Sequence, residues 1–168
     1  MTENQNEYRE HLNTLIFRAR DFADWIYHDV RLDCDEQAAA RTAERLRLIN
    51  AQYGKDAMFG MTGWWAMKAY WRLADAHKAR NISNRPDLLP KNVMEVIESD
   101  DPEEKKRAFI SAQQFISTMT HDNAEMAEAI FNAAYDAGVE DFVALMWSVL
   151  MFSIRISNVA FKMKNSNG

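Results

Sequence analysis

Cysteine is almost missing from this chain: Cys34 stands alone among 168 residues. A single thiol cannot close an intramolecular disulfide, which excludes the disulfide-stapled secreted scaffolds and the cysteine-rich zinc modules. Turn residues are scarce too, with 3 prolines and 5 glycines. A β-sandwich or barrel needs turn signals every ~8–12 residues, and this chain cannot supply them. It also lacks the alternating β-branched stretches that strands require. Catalytic signatures are missing in the same way. There is no GxxxxGK[ST], no dinucleotide-binding glycine fingerprint, no HExxH, no Glu-x-x-His pair and no GxSxG. Those absences remove the phosphate-loop, zinc-hydrolase, di-iron and serine-hydrolase chemistries from the expectation. The opening MTENQNEYRE is polar, without the apolar run of a signal peptide. With the lone thiol, it reads as a cytoplasmic, reducing setting.

What is abundant is apolar and helix-forming. With 48% hydrophobic residues, a chain of this length can build one core without a metal or disulfide. We expect a single all-α domain over 1–168, with about 1–5 and 164–168 as loose ends, arranged as a bundle of six to seven helices. The first, over about 6–30, shows i, i+3, i+4, i+7 spacing in Tyr8, Leu12, Leu15, Ala19, Phe22, Ala23, Ile26 and Val30. The second, started by Asp33 or Asp35 and running to about 53, turns Ala39, Ala43, Leu46, Ile49 and Tyr53 inward, with Gly54 placed to close it. The third ends near residue 80. NISNRPDLLPK is the one long loop, and a short helix over about 91–99 follows it. DDPEE announces the fifth helix, with Asp101 as cap, Pro102 behind it and Glu104 completing the box. The sixth is capped at Asp122 and closed at Gly138, where Val139 is placed for a Schellman contact.

The seventh helix, about 140–163, is apolar around nearly its whole circumference. Only Ser148, Arg155 and Lys162 break it, in one narrow line. Such a helix belongs in a core, an interface or a membrane. Its uncharged run, 142–154, is 13 residues long, short of the roughly 20 a span requires. We expect it at the centre of the bundle, with no membrane role.

Charge is unevenly spread. Residues 1–91 carry 14 Lys/Arg against 13 Asp/Glu, residues 92–141 carry 3 against 12, and residues 142–168 carry 3 against none. The acidic middle argues against a phosphate-binding face there and would suit a basic protein partner. Arg41, Arg45 and Arg47 could touch phosphates, but the helix after them opens with Met, Phe and Trp rather than base-reading side chains. No specific nucleic-acid binding is expected.

Residues 60–71, GMTGWWAMKAYW, pose the sharpest question. Projected as a helix, Lys68, Arg72 and Asp75 form a solvent stripe, while Ala66, Met67, Tyr70, Leu73, Ala74 and His77 face inward. Trp64 and Trp71 stack on one border of the stripe and Trp65 lies on the other. Gly60 and Gly63 leave room for a neighbouring backbone. Trp, Met and Arg are enriched at interface cores, so we read Trp64, Trp65, Lys68, Trp71 and Arg72 as an interaction surface; the alternative is that the tryptophans cover the flanks of the bundle.

Other constellations carry less. Asp24 and His28, with Asp21 a turn earlier, have the spacing of an oriented base or a metal pair, but the wheel sets all three on the solvent face. His121, Glu125 and Glu128 have ligand-like spacing, yet an acid-rich helix start accounts for the two glutamates. No metal, cofactor or catalytic residue is expected. The leading functional expectation is a non-enzymatic helical protein that binds another protein, as a homodimer. The alternative is a helical-bundle enzyme or small-molecule binder with Tyr70, His77 and Arg155 around a pocket. A weaker alternative is a DNA-binding regulator using the second helix.

Overall fold

In a computed structural model, residues 2–79, 103–121 and 123–165 are described, and all regular structure among them is helical. Five helices follow one another: α1 (Glu3–Leu32), α2 (Ala38–Ala79), α3 (Glu103–Thr120), α4 (Ala124–Ala137) and α5 (Val139–Asn165). The all-α expectation holds, but the expected six to seven helices are five among the described residues. Two reasons account for the difference. The short helix placed over 91–99, and most of the DDPEE start signal, lie outside the described residues. The second and third helices are joined without a loop and count together as α2, with the expected break between them at Gly54 (φ 79°, ψ −168°).

That interruption organises the fold. Before Gly54, α2 runs back along α1: Arg41 meets Asp35, Arg45 meets Asp29 and Tyr53 packs on Phe22. After it, α2 runs in the same sense as α1, with Gly60 against Leu15, Gly63 against Ile16, Trp65 against Ala23 and Lys68 against Asp24. Backbone near φ 79°, ψ −168° is open almost only to glycine. A side chain at Gly54 would meet no neighbour within 4 Å. Gly54→Ala is therefore expected to destabilise by about 1–3 kcal/mol through backbone conformation alone. Denaturant unfolding checks this, and a cost near zero would show that the break does not depend on the glycine.

The helix ends follow local chemistry. Thr2 caps α1 in a capping box with Gln5, so the helix starts at Glu3 and takes in most of the end expected to be loose. Asp35 Oδ1 accepts from the Gln37 amide ahead of α2. Asn123 caps α4 through the Met126 amide. The expected cap, Asp122, lies outside the described residues. At Gly138 (φ 138°, ψ 174°) the chain passes straight into α5. Its geometry is not the left-handed one of a Schellman motif, and Val139 is exposed.

Helix α5 packs against all four other helices, and buried positions from Phe142, Val143 and Met146 to Phe152, Ser153 and Ile156 take up most of its circumference, leaving a half-buried to exposed stripe of Ala144, Trp147, Met151, Arg155 and Asn158. Two of its buried serines have acceptors. Ser148 Oγ donates to the Ala144 carbonyl, and Ser153 Oγ donates at 2.7 Å to the Trp65 carbonyl of α2. By length and composition, its stretch Val139–Lys162 could cross a membrane, although most of that stretch is buried in the bundle as a core helix would be. Elsewhere, the expected α1 stripe is buried or half-buried. On α2 the inward arc is rotated from the one expected, because Ala38, Thr42, Leu46 and Ile49 are buried while Ala39 and Tyr53 are exposed.

Candidate functional site

The stretch 60–71 divides between core and surface. Met61, Thr62, Gly63, Trp65, Ala66 and Ala69 are buried, Trp64 and Met67 are half-buried, and Trp71 is 47% exposed. The two glycines account for the close helix crossing. A Cβ at Gly60 would stand 2.3 Å from the Leu15 carbonyl oxygen, and one at Gly63 would stand 2.8 Å from Ile16 Cγ1. Their absence of side chain lets α2 lie directly on α1.

Trp65 must be removed from the expected interaction surface. It is completely buried, and its Nε1 donates to the Ala23 carbonyl at 2.9 Å. The wheel put it at a border because it assumed one core-facing side. Here α2 is covered by α1 on one side and by α5 on another, so its buried arc is wider than a single packing face produces.

The three tryptophans are positioned in different ways. Trp64 Nε1 donates to Asp24 Oδ1 at 2.8 Å, and Lys68 Nζ donates to the same oxygen at 3.1 Å while lying 4.1 Å from the Tyr27 ring centre. Asp24 thus faces α2 rather than open solvent, which corrects the wheel of the first helix. Burial opposes its ionisation. The hydrogen bonds from Trp64 and Lys68, with the charges of Lys68 and His28, outweigh it and hold the carboxyl below its ordinary value of 3.8. Trp71 packs edge-on to Trp64, with ring centres 5.5 Å apart. Arg72, next to it, is exposed.

The sign of the pH effect follows. A carboxyl with a folded-state pKa below its unfolded value stabilises the fold above that unfolded value. The contribution is lost as pH falls through the folded one. Asp24→Asn should therefore destabilise the protein at pH 7, and the difference from wild type should shrink once pH is well below 3.8. Urea midpoints at pH 7 and pH 3 test this. An equal difference at both pH values would mean that the Asp24 charge contributes nothing.

Trp64, Met67 and Trp71 form one wall of a cleft of about 350 Å³. Leu12, Ile16 and Phe17 of α1 form the facing wall, with Arg9 and Asn13 as its polar members. Met119 at the end of α3 and Ala124 at the start of α4 complete the lining. Phe17, at the rim, is 57% exposed, and the Arg20 guanidinium lies over its ring at 3.8 Å. Sequence reasoning missed this cleft because four separate elements contribute to it and no spacing along one helix could reveal it.

The remaining candidates are scattered. Of Tyr70, His77 and Arg155, expected round a pocket, Tyr70 and Arg155 are not in the lining of this cleft. Tyr70 is half-buried, the His77 side chain lies outside the described residues, and Arg155 is half-buried with its Nη1 buried and without a hydrogen-bond partner. His121 sits in the turn before α4, with its Nδ1 2.7 Å from the Ser117 carbonyl oxygen, so it does not share a helical face with Glu125 and Glu128. Among the described residues no group of three His, Cys, Asp or Glu side chains comes together to hold a metal ion. Two of the second-helix arginines are committed to carboxylates, Arg41 to Asp35 and Arg45 to Asp29. Arg45 also lies over the exposed Trp25 ring, at 4.7 Å. Compared with protein-family models, curated proteins and solved structures, the chain shows no match in any of the three.

Proposed function

We propose that this protein acts by binding another protein, a second copy of itself, through the aromatic ledge of Trp64, Trp71 and Phe17 flanked by Lys68 and Arg72. The observation that carries the reading is the exposure of two large aromatic side chains, 47% at Trp71 and 57% at Phe17, on the rim of one apolar cleft. Single exposed hydrophobics are ordinary, but aromatics grouped round a concave apolar surface mark interaction sites. Arg20 over Phe17 adds the guanidinium–aromatic pairing common at binding hot spots. A C2 dimer is the commonest assembly that covers such a patch with its own equivalent. The reading is non-enzymatic and invokes no cofactor.

Light scattering across a range of protein concentrations tests it. The wild type should associate, and Trp71→Ala should weaken association by about 2 kcal/mol or more, roughly 30-fold in Kd. Trp25→Ala, which removes an exposed tryptophan outside the cleft, should leave association unchanged. A chain that stays at its monomer mass of 19.5 kDa at every concentration overturns the proposal.

A further inference from the structure

The cleft beneath the ledge is more than the rim of an interface. Its lining comes from α1, α2, α3 and α4. They are held in place by contacts that anchor the lining from behind. Trp64 is tied to Asp24, and α1 and α2 are locked at the Gly60–Leu15 and Gly63–Ile16 crossing. Collapse would require breaking one of these, so the space persists without an occupant. Preformed concave sites of about 300–1,000 Å³ with mostly apolar walls and few polar groups are the usual form of a small-molecule site.

We infer that the cleft binds a flat, uncharged aromatic molecule of about two fused rings carrying one hydrogen-bonding group. Size comes from the volume: an apolar cavity of about 150 Å³ takes benzene, and 350 Å³ takes a molecule roughly twice as large. Flatness follows from the lining, because three of its side chains, Phe17, Trp64 and Trp71, are aromatic rings. The methionines at 67 and 119 adapt to the outline of the ligand. The single polar group is matched to Asn13, whose side-chain amide both donates and accepts. The ligand is uncharged because eight of the ten lining residues are apolar and the one charged member, Arg9, already has a partner. This inference needs the cleft but not self-association, so the two readings fail separately.

The test uses 2-naphthol as probe and the indole N–H signals of the five tryptophans as reporters in heteronuclear NMR. Saturable shifts at Trp64 and Trp71, with Trp25 and Trp147 unmoved, are the expected result, with a Kd in the range of roughly 10–300 µM. Ala124→Phe and Met67→Trp each put bulk into the cleft and should weaken binding by at least about tenfold. Repeating the titration at a tenfold lower protein concentration, with light scattering in parallel, separates ligand binding from association. If naphthol and a second copy compete, the apparent Kd falls on dilution, and either result leaves the site intact. No saturable shift at Trp64 and Trp71 at either concentration overturns the inference. So does binding that survives both filling substitutions, or equal shifts at all five indoles.

Discussion

Trp65→Ala is expected to lower the unfolding free energy by about 3–5 kcal/mol, while Trp71→Ala, six residues further along the same helix, lowers it by only about 1 kcal/mol. The contrast follows from what each ring touches. Trp65 has no exposed surface and donates to the Ala23 carbonyl, and its own carbonyl accepts from Ser153 of α5. Truncation would open a cavity where α1, α2 and α5 meet. Trp71 keeps 47% of its surface in solvent, and its ring rests on Trp64, which Asp24 holds in place independently. Removing Trp71 therefore loses part of one aromatic contact and opens the cleft wider without emptying the core. Urea unfolding of both variants at low protein concentration, where association does not add to the measured stability, provides the comparison. Equal losses would place Trp71 in the core and remove the main support for a partner surface.

The two rings also show how far the sequence could be read. The α1 stripe was legible because its core-facing residues keep a plain helical period, and Leu12, Ala19, Ala23, Ile26 and Val30 are all buried. The last helix was legible for the opposite reason: packed against four others, it buries most of its circumference and keeps only a narrow stripe, with Arg155 and Lys162, for polar side chains. The stretch 60–71 lies between these cases. Its partners are set by the reversal at Gly54, which lays the second half of α2 against α1 while α5 covers it from another direction. A helical wheel shows which residues share a face but not how many faces are covered, so Trp65 looked like a border residue. Asp24 was missed by the same limit: on its own helix it opposes the apolar stripe, and only the returning α2 brings Trp64 and Lys68 to it. The cleft has no counterpart in any one helix, since Phe17 and Asn13 look like surface positions until Trp71 and Met119 arrive across from them.

Gly60→Ala and Gly63→Ala should have very different effects although they add the same methyl group three residues apart. In an exposed helix either change would stabilise by about 1 kcal/mol, because alanine restricts the unfolded chain more and favours the helix. At Gly60 the new Cβ would stand 2.3 Å from the Leu15 carbonyl oxygen and 2.8 Å from the Ala19 Cβ. Neither can move without moving α1, since one is backbone and the other is fixed directly to it. The helices must separate, and every contact along the crossing loosens with them. A net loss of about 2–3 kcal/mol is expected after the propensity gain. At Gly63 the Cβ would meet Ile16 Cγ1 at 2.8 Å and Cδ1 at 2.9 Å. Those are side-chain atoms with a second rotamer available, and the cleft beside Ile16 gives them somewhere to go. The net change should lie within about 1 kcal/mol of zero. The variants also differ at the cleft. Gly60→Ala shifts the wall carrying Leu12, Ile16 and Phe17, so association and naphthol binding should weaken together with stability. Gly63→Ala fills space through Ile16, and it should reduce naphthol binding while leaving stability nearly intact. Thermal unfolding of the pair, read beside the probe titration, decides the matter. Equal destabilisation by both would mean that the crossing is not set by backbone contact at Gly60.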